Sequence, residues 1–146
     1  MDKFIELSTQ LLRHGEKIRF QAPGHSMQPT IREGEIITIE PVAPSAVRKG
    51  DIILYRWEHG IIAHRVIDME LNEDTGYRFI VRGDAAHTCD DPVYFSQVLG
   101  KIVSVERKGR CIELVSLRSK LWSAVCVWLF HVKGSIYKII INTFIR

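Results

Sequence analysis

The first apolar positions, Phe4, Leu7, Leu11 and Leu12, fall at i, i+3, i+7 and i+8, with Ile5 at the edge of the same face. That spacing is one side of an amphipathic helix, and Gly15 follows as a stop signal, so residues 1–16 read as a short N-terminal helix. From Ile18 the period changes. The runs "EIITIEPV", "GDIILYRW", "GIIAHRVIDMEL", "YRFIVRGD", "VLGKIVSVER" and "CIELVSL" are short, rich in β-branched residues and punctuated by glycine and proline. Such runs predict a compact, mainly antiparallel β domain over residues 17–116, with "MELNEDTGYRF" as a polar hairpin connection. A length of 146 residues fits one domain with an adequate core.

The last segment, residues 117–146, differs in kind. Leu121 to Val132 is weakly polar to apolar and carries Trp122, Trp128 and Phe130, and a second apolar stretch runs from Ile136 to Ile145. The first is shorter than the roughly 20 residues of a spanning helix. Arg118, Lys120, Lys133, Lys138 and Arg146 flank these stretches, which suits an amphipathic helical tail lying in a lipid interface. A helical hairpin packed on the domain or on a second subunit is the alternative, and a tilted span through residues 121–142 is another. Charge sharpens the contrast. Up to Gly100 there are 11 Lys+Arg against 15 Asp+Glu, and afterwards 9 against 2. The apolar, aromatic context of the late positive charge favours membrane lipid, and no nucleic acid is expected as a partner.

No cleavable leader is expected, because acids stand at Asp2 and Glu6 and no apolar run of the required length follows. Cys89, Cys111 and Cys126 are odd in number and lack a CxxC spacing, so free thiols are expected. His25, His87, Cys89 and Asp90 have no established ligand spacing, and neither a metal nor another cofactor is expected.

Candidate chemistry begins in "APGHSMQPTIREGE", where Gly24 and Pro29 bracket Ser26 and place its hydroxyl in a bend. A serine there is either a turn former or a nucleophile. His64, in the strand-like run "IIAHRVID", would share a face with Ile62 and Val66 and project from a rigid element. The loop "RGDAAHTCDDPV" supplies Asp84, Asp90 and Asp91. A serine hydroxyl needs a base to become nucleophilic, and the base needs an acid to fix its tautomer. Taken singly, each of these residues is ordinary turn or surface chemistry.

The ordered blocks "GHSMQPTIREGE", "VRKGDIILYRW", "AHRVID", "FIVRGDAAHTCDDPV" and "VLGKIVSVER", spread over residues 24–107, resemble the signal peptidase I family. The resemblance implies a folded, coiled antiparallel β-sheet, a fold shared with self-cleaving repressors. It also implies a membrane-associated serine endopeptidase that removes signal or leader peptides from exported precursors. Histidine rather than lysine at position 64 is similar to the endoplasmic-reticulum and archaeal subtype. Carried over, Ser26 is the nucleophile, His64 the general base and Asp90 the orienting acid, with Asp84 a structural or alternative third member and Asp91 ranked lower. The Ser26 N–H is the first oxyanion donor. Gly24 stands where many relatives have a serine whose hydroxyl helps, and His25 and Met27 flank Ser26 as substrate contacts. The family's usual N-terminal span has no counterpart in these 146 residues, so the tail is expected to anchor the protein to the cytoplasmic membrane. A self-processing regulatory peptidase and a non-catalytic membrane-associated module on the same scaffold are the alternative functions.

Overall fold

A computed structural model describes residues 2–58, 60–72 and 76–114. The expected C-terminal tail lies outside these residues. One helix, α1 (Asp2–Arg13), precedes eight strands: β1 (Ile18–Gln21), β2 (Ile36–Glu40), β3 (Ile52–Trp57), β4 (Gly60–Asn72), β5 (Gly76–Arg82), β6 (Val93–Tyr94), β7 (Val98–Arg107) and β8 (Arg110–Glu113). They form one antiparallel sheet in the order β1-β2-β7-β3-β4-β5-β6, with β8 also paired to β7. The β-rich reading of the short apolar runs therefore holds.

Strand β3 shows why the sheet coils around two cores. Its side chains alternate between faces, and both faces are buried. Ile52 and Leu54 join Ile37, Ile39, Ile102 and Val105 in the first core, whereas Ile53 and Tyr55 join Val47, Val66, Phe79 and Val81 in the second. This explains the continuous apolar run "IILY", which has no exposed face to alternate with. Register shifts at Thr38/Ile39, Leu54/Tyr55 and Val66/Asp68 interrupt the ladders, and such irregularities increase local twist and let a sheet bend.

Helix α1 sits differently from its simplest reading. Ile5, Ser8, Thr9 and Leu12 face inward, while Phe4, Leu7 and Leu11 are exposed. Thr9 is tolerated inside because it has partners that offset its burial. The Thr9 hydroxyl donates to the Ile5 carbonyl at 2.7 Å and accepts from Arg56 at 3.2 Å. Among the described residues, no helix is long and apolar enough to cross a membrane.

Candidate active site

Ser26 occupies a turn between β1 and β2, pegged to the first core on its C-terminal side by buried Met27 and Ile31. The turn is closed by Gln28 N–H to the His25 carbonyl at 3.1 Å and Ile31 N–H to the Met27 carbonyl at 2.9 Å. Arg107, at the end of β7, holds its far side by donating to the Thr30 carbonyl at 3.1 Å and to Glu35 Oε2 at 3.0 Å. The Arg107 hydrogen bonds hold the Glu35 carboxyl below its ordinary range, against the opposing effect of burial. Ser26 itself is exposed, so a rigid base presents an accessible hydroxyl.

His64 projects from β4, opposite Ile53 of β3, with its side chain 12% exposed. Its Nδ1 is bonded to Asp90 Oδ2. Asp90 arrives from the loop after β5, where its N–H donates to the Val81 carbonyl at 2.9 Å. The loop is also tied to the serine turn, since Ala85 N–H donates to the Ser26 carbonyl at 2.9 Å.

Gly83 is where these parts meet. A Cβ placed there would lie 2.7 Å from the Ser26 carbonyl oxygen, 3.1 Å from His64 Nε2 and 3.3 Å from Ser26 Cβ. A glycine is therefore required by close approach, and Ser26 and the Nε2 face of His64 flank the same small space. With Asp90 on Nδ1, the arrangement has the parts of a nucleophile, a base and an orienting carboxylate in order.

The other candidates are placed elsewhere. Asp84 turns to Arg65, accepting from Nε at 2.7 Å and from Nη2 at 2.6 Å, and Thr30 donates to it at 2.5 Å. Both ion-pair side chains are nearly fully buried. This pair joins β4, the Asp90 loop and the serine turn, so Asp84 supports the site without meeting His64. His25 points away to Gln28 at 2.8 Å and Glu33 at 3.0 Å. Asp91 is exposed and, with Cys89, lines a small hollow beside His64 and Asp90. Cys89 and Cys111 are free thiols. Among the described residues, no group of three or more His, Cys, Asp or Glu side chains could hold a metal ion.

Ser26 also opens onto a cleft of about 550 Å³, mostly apolar, whose walls include Phe4 of α1, Phe20 of β1, Leu54 of β3, and Ile61 and Ala63 of β4. Gly24 and Met27 line it too. Gly24 has φ +80° and open space at its missing side chain, so it turns the chain into the serine loop while leaving the cleft wall clear. β5 pairs with β4 only from Arg65 onward, so on that side residues 60–64 have no strand partner among the described residues.

The profile of the Peptidase S24-like family matches residues 1–85. The chain belongs to the Peptidase S24-like family. No curated protein matches it. The matched stretch contains Ser26, His64, Gly83 and Asp84, and Asp90 lies five residues beyond its end. Membership gives this S24-like chain a serine-peptidase type of scaffold, which agrees with the order of groups around Gly83.

Sequence reasoning reached Ser26, His64 and Asp90 but passed over Tyr55, Gly83 and the Arg65–Asp84–Thr30 junction. For Tyr55 a signal was present: β3 and β4 are joined by a short connection, and alternation puts residues 53 and 55 on the face shared by 62 and 64. For Arg65, its place beside His64 in a strand forces it to the opposite face, where a buried cation needs a carboxylate.

Proposed function

We propose that this protein is a membrane-associated serine endopeptidase that removes signal or leader peptides from precursor polypeptides, with Ser26 as nucleophile, His64 as general base and Asp90 as the acid that orients it. The observation that carries the reading is the convergence of Ser26 and His64 Nε2 on Gly83, with Ser26 also lining an apolar cleft. An extended peptide laid along the unpartnered edge of residues 60–64 would gain backbone hydrogen bonds from that strand and bury apolar side chains in the cleft. Its scissile carbonyl would then reach the exposed Ser26.

Catalysis follows from these positions. Ser26 Oγ attacks the carbonyl carbon while Nε2 takes its proton, and Asp90 stabilises the imidazolium through Nδ1. The Ser26 N–H is the proposed oxyanion donor, and Gly24 contributes no hydroxyl to it. Collapse expels the amine, which receives the proton from Nε2, and water releases the acyl group through the same base. Membrane attachment is assigned to residues 117–146, whose aromatic and basic composition suits a lipid interface.

Family membership also favours a second reading, a self-processing regulatory peptidase that cuts its own chain. The two differ in kinetic order. Purified protein mixed with vesicles and synthetic leader peptides should cut them at one bond with multiple turnovers, and Ser26→Ala should abolish the cut. Cleavage confined to the protein's own chain, at a rate independent of protein concentration, would select self-processing instead. Vesicle sedimentation tests the anchor: deletion of residues 117–146 should release the protein into the supernatant, and continued binding would place the anchor elsewhere.

A further inference from the structure

A buried phenol stands beside the proposed His64–Asp90 pair without a role in the proposed mechanism. Tyr55, on β3, is 1% exposed, and its ring packs in the second core with Val47, Ile53, Val66 and Phe79. Phenylalanine would fill that space as well. The hydroxyl reaches out of the core at one place, where it donates to Asp90 Oδ2 at 3.1 Å and lies 3.4 Å from His64 Nδ1. The oxygen it binds is the same one that faces His64.

The need for such a contact follows from where the carboxylate comes from. Asp90 sits on a loop with its side chain 33% exposed, whereas His64 stands on a strand at 12%. A carboxylate that is partly in water has other rotamers open to it, and solvent competes for its oxygens. Tyr55 offers a donor from the most buried strand of the sheet, diagonal to His64 in the β3–β4 pair, with Ile62 directly opposite. Among the described residues, Tyr55 and His64 are the side chains that hydrogen-bond the Asp90 carboxylate. We infer that Tyr55 is a positioning residue that acts through Asp90, holding Oδ2 against His64 Nδ1 so that Nε2 is kept free of a proton and turned to Ser26.

Burial, reinforced by the Asp90 charge, pushes the Tyr55 phenol far above its ordinary range, so it remains a donor wherever His64 can act as a base. The titratable groups facing this cluster are Tyr55 from β3 and Cys89, Asp90 and Asp91 from the loop. The adjacent Arg65–Asp84 pair is directed to the serine turn and Gly50. The inference rests on the peptidase reading for the task of Nε2, but its geometric content stands without it.

The test uses the full chain and Tyr55→Phe, which keeps the ring and so the core. Proton NMR on ¹⁵N-histidine protein reads the low-field Nδ1–H of His64, assigned by its loss in Asp90→Ala. In Tyr55→Phe that signal should move upfield and exchange with water about tenfold faster, the scale expected for losing one hydrogen bond to a charged group. Cleavage of a synthetic leader peptide should lose about tenfold in kcat with KM within about twofold, and in an Asp90→Ala background Tyr55→Phe should change kcat by less than about twofold. An unaltered Nδ1–H signal, or an equal loss of kcat with and without Asp90, would overturn the inference. Absence of that signal from the wild type would overturn it too, by removing the His64–Asp90 pair. No peptide cleavage by the wild type would count against the peptidase reading alone, and the NMR comparison would still decide the role of Tyr55.

Discussion

Replacing Gly83 by alanine puts a methyl group into the space between Ser26 and His64. Its Cβ would stand 2.7 Å from the Ser26 carbonyl oxygen, where ordinary contact begins near 3.4 Å, so a separation of several tenths of an ångström must be supplied by backbone. The oxygen cannot swing aside as a side chain does, because it accepts the Ala85 N–H at 2.9 Å and the turn around it is pegged by Met27 and Ile31. Overpacking of this kind costs about 1–3 kcal/mol. Displacing Ser26, the proposed nucleophile, from its proposed base by a fraction of an ångström to 1 Å is expected to cost on the order of 10–10² in kcat. Gly100 supplies the control. A Cβ there would lie 2.6 Å from the Glu40 carbonyl oxygen, a comparable clash between β7 and β2 that involves none of the site residues. Both variants should lose stability in urea titration, but when assayed well below their unfolding midpoints, only Gly83→Ala should lose leader-peptide cleavage. Equal activity in the two variants would refute the claim that Ser26 and His64 work across Gly83.

Three further outcomes follow from the same geometry. Asp84→Ala leaves Arg65 charged and buried without its carboxylate, and should lower unfolding free energy by about 3–5 kcal/mol; Asp90→Ala should cost little stability and most of the activity, so a reversal of this pattern in paired denaturation and cleavage assays would exchange their roles. Glu35 has its folded pKa lowered by Arg107, so its contribution to stability is present above the unfolded carboxylate value near 4.3 and is lost as pH falls through the folded one. Glu35→Gln should therefore be less stable than wild type at pH 7, by about 1.5 kcal/mol, and show a shallower loss on acidification, and parallel curves would remove Glu35 from the account. His64→Gln keeps a polar side chain of similar size but removes the proton acceptor, and should abolish leader-peptide cleavage; undiminished cleavage would argue for another base.

Much of this architecture can be read from pattern alone, for identifiable reasons. The runs at 52–57, 60–72 and 98–107 are long, apolar and bounded by glycine or charge, so their strand character survives any tertiary context. His64 is conspicuous as a polar ring within such a run. Helix α1 was legible as a helix but not in its orientation, because Thr9 is buried by virtue of its partners, Ile5 and Arg56, which helical periodicity cannot reveal. The choice between Asp84 and Asp90 is of the same type. Both lie in one loop, and only the fold shows that Arg65, forced to the face opposite His64, takes Asp84 and leaves Asp90 to His64. Gly83 is invisible for a different reason: its role is the absence of a side chain where two distant segments approach.

The measurement that bears most directly on the central claim is mass spectrometry of leader peptides incubated with the full protein in vesicles, comparing wild type with Ser26→Ala, His64→Ala and Asp90→Ala. The account predicts cleavage at one defined bond by the wild type, abolished in the first two variants and reduced by orders of magnitude in the third. Undiminished cleavage by Ser26→Ala or His64→Ala would contradict it.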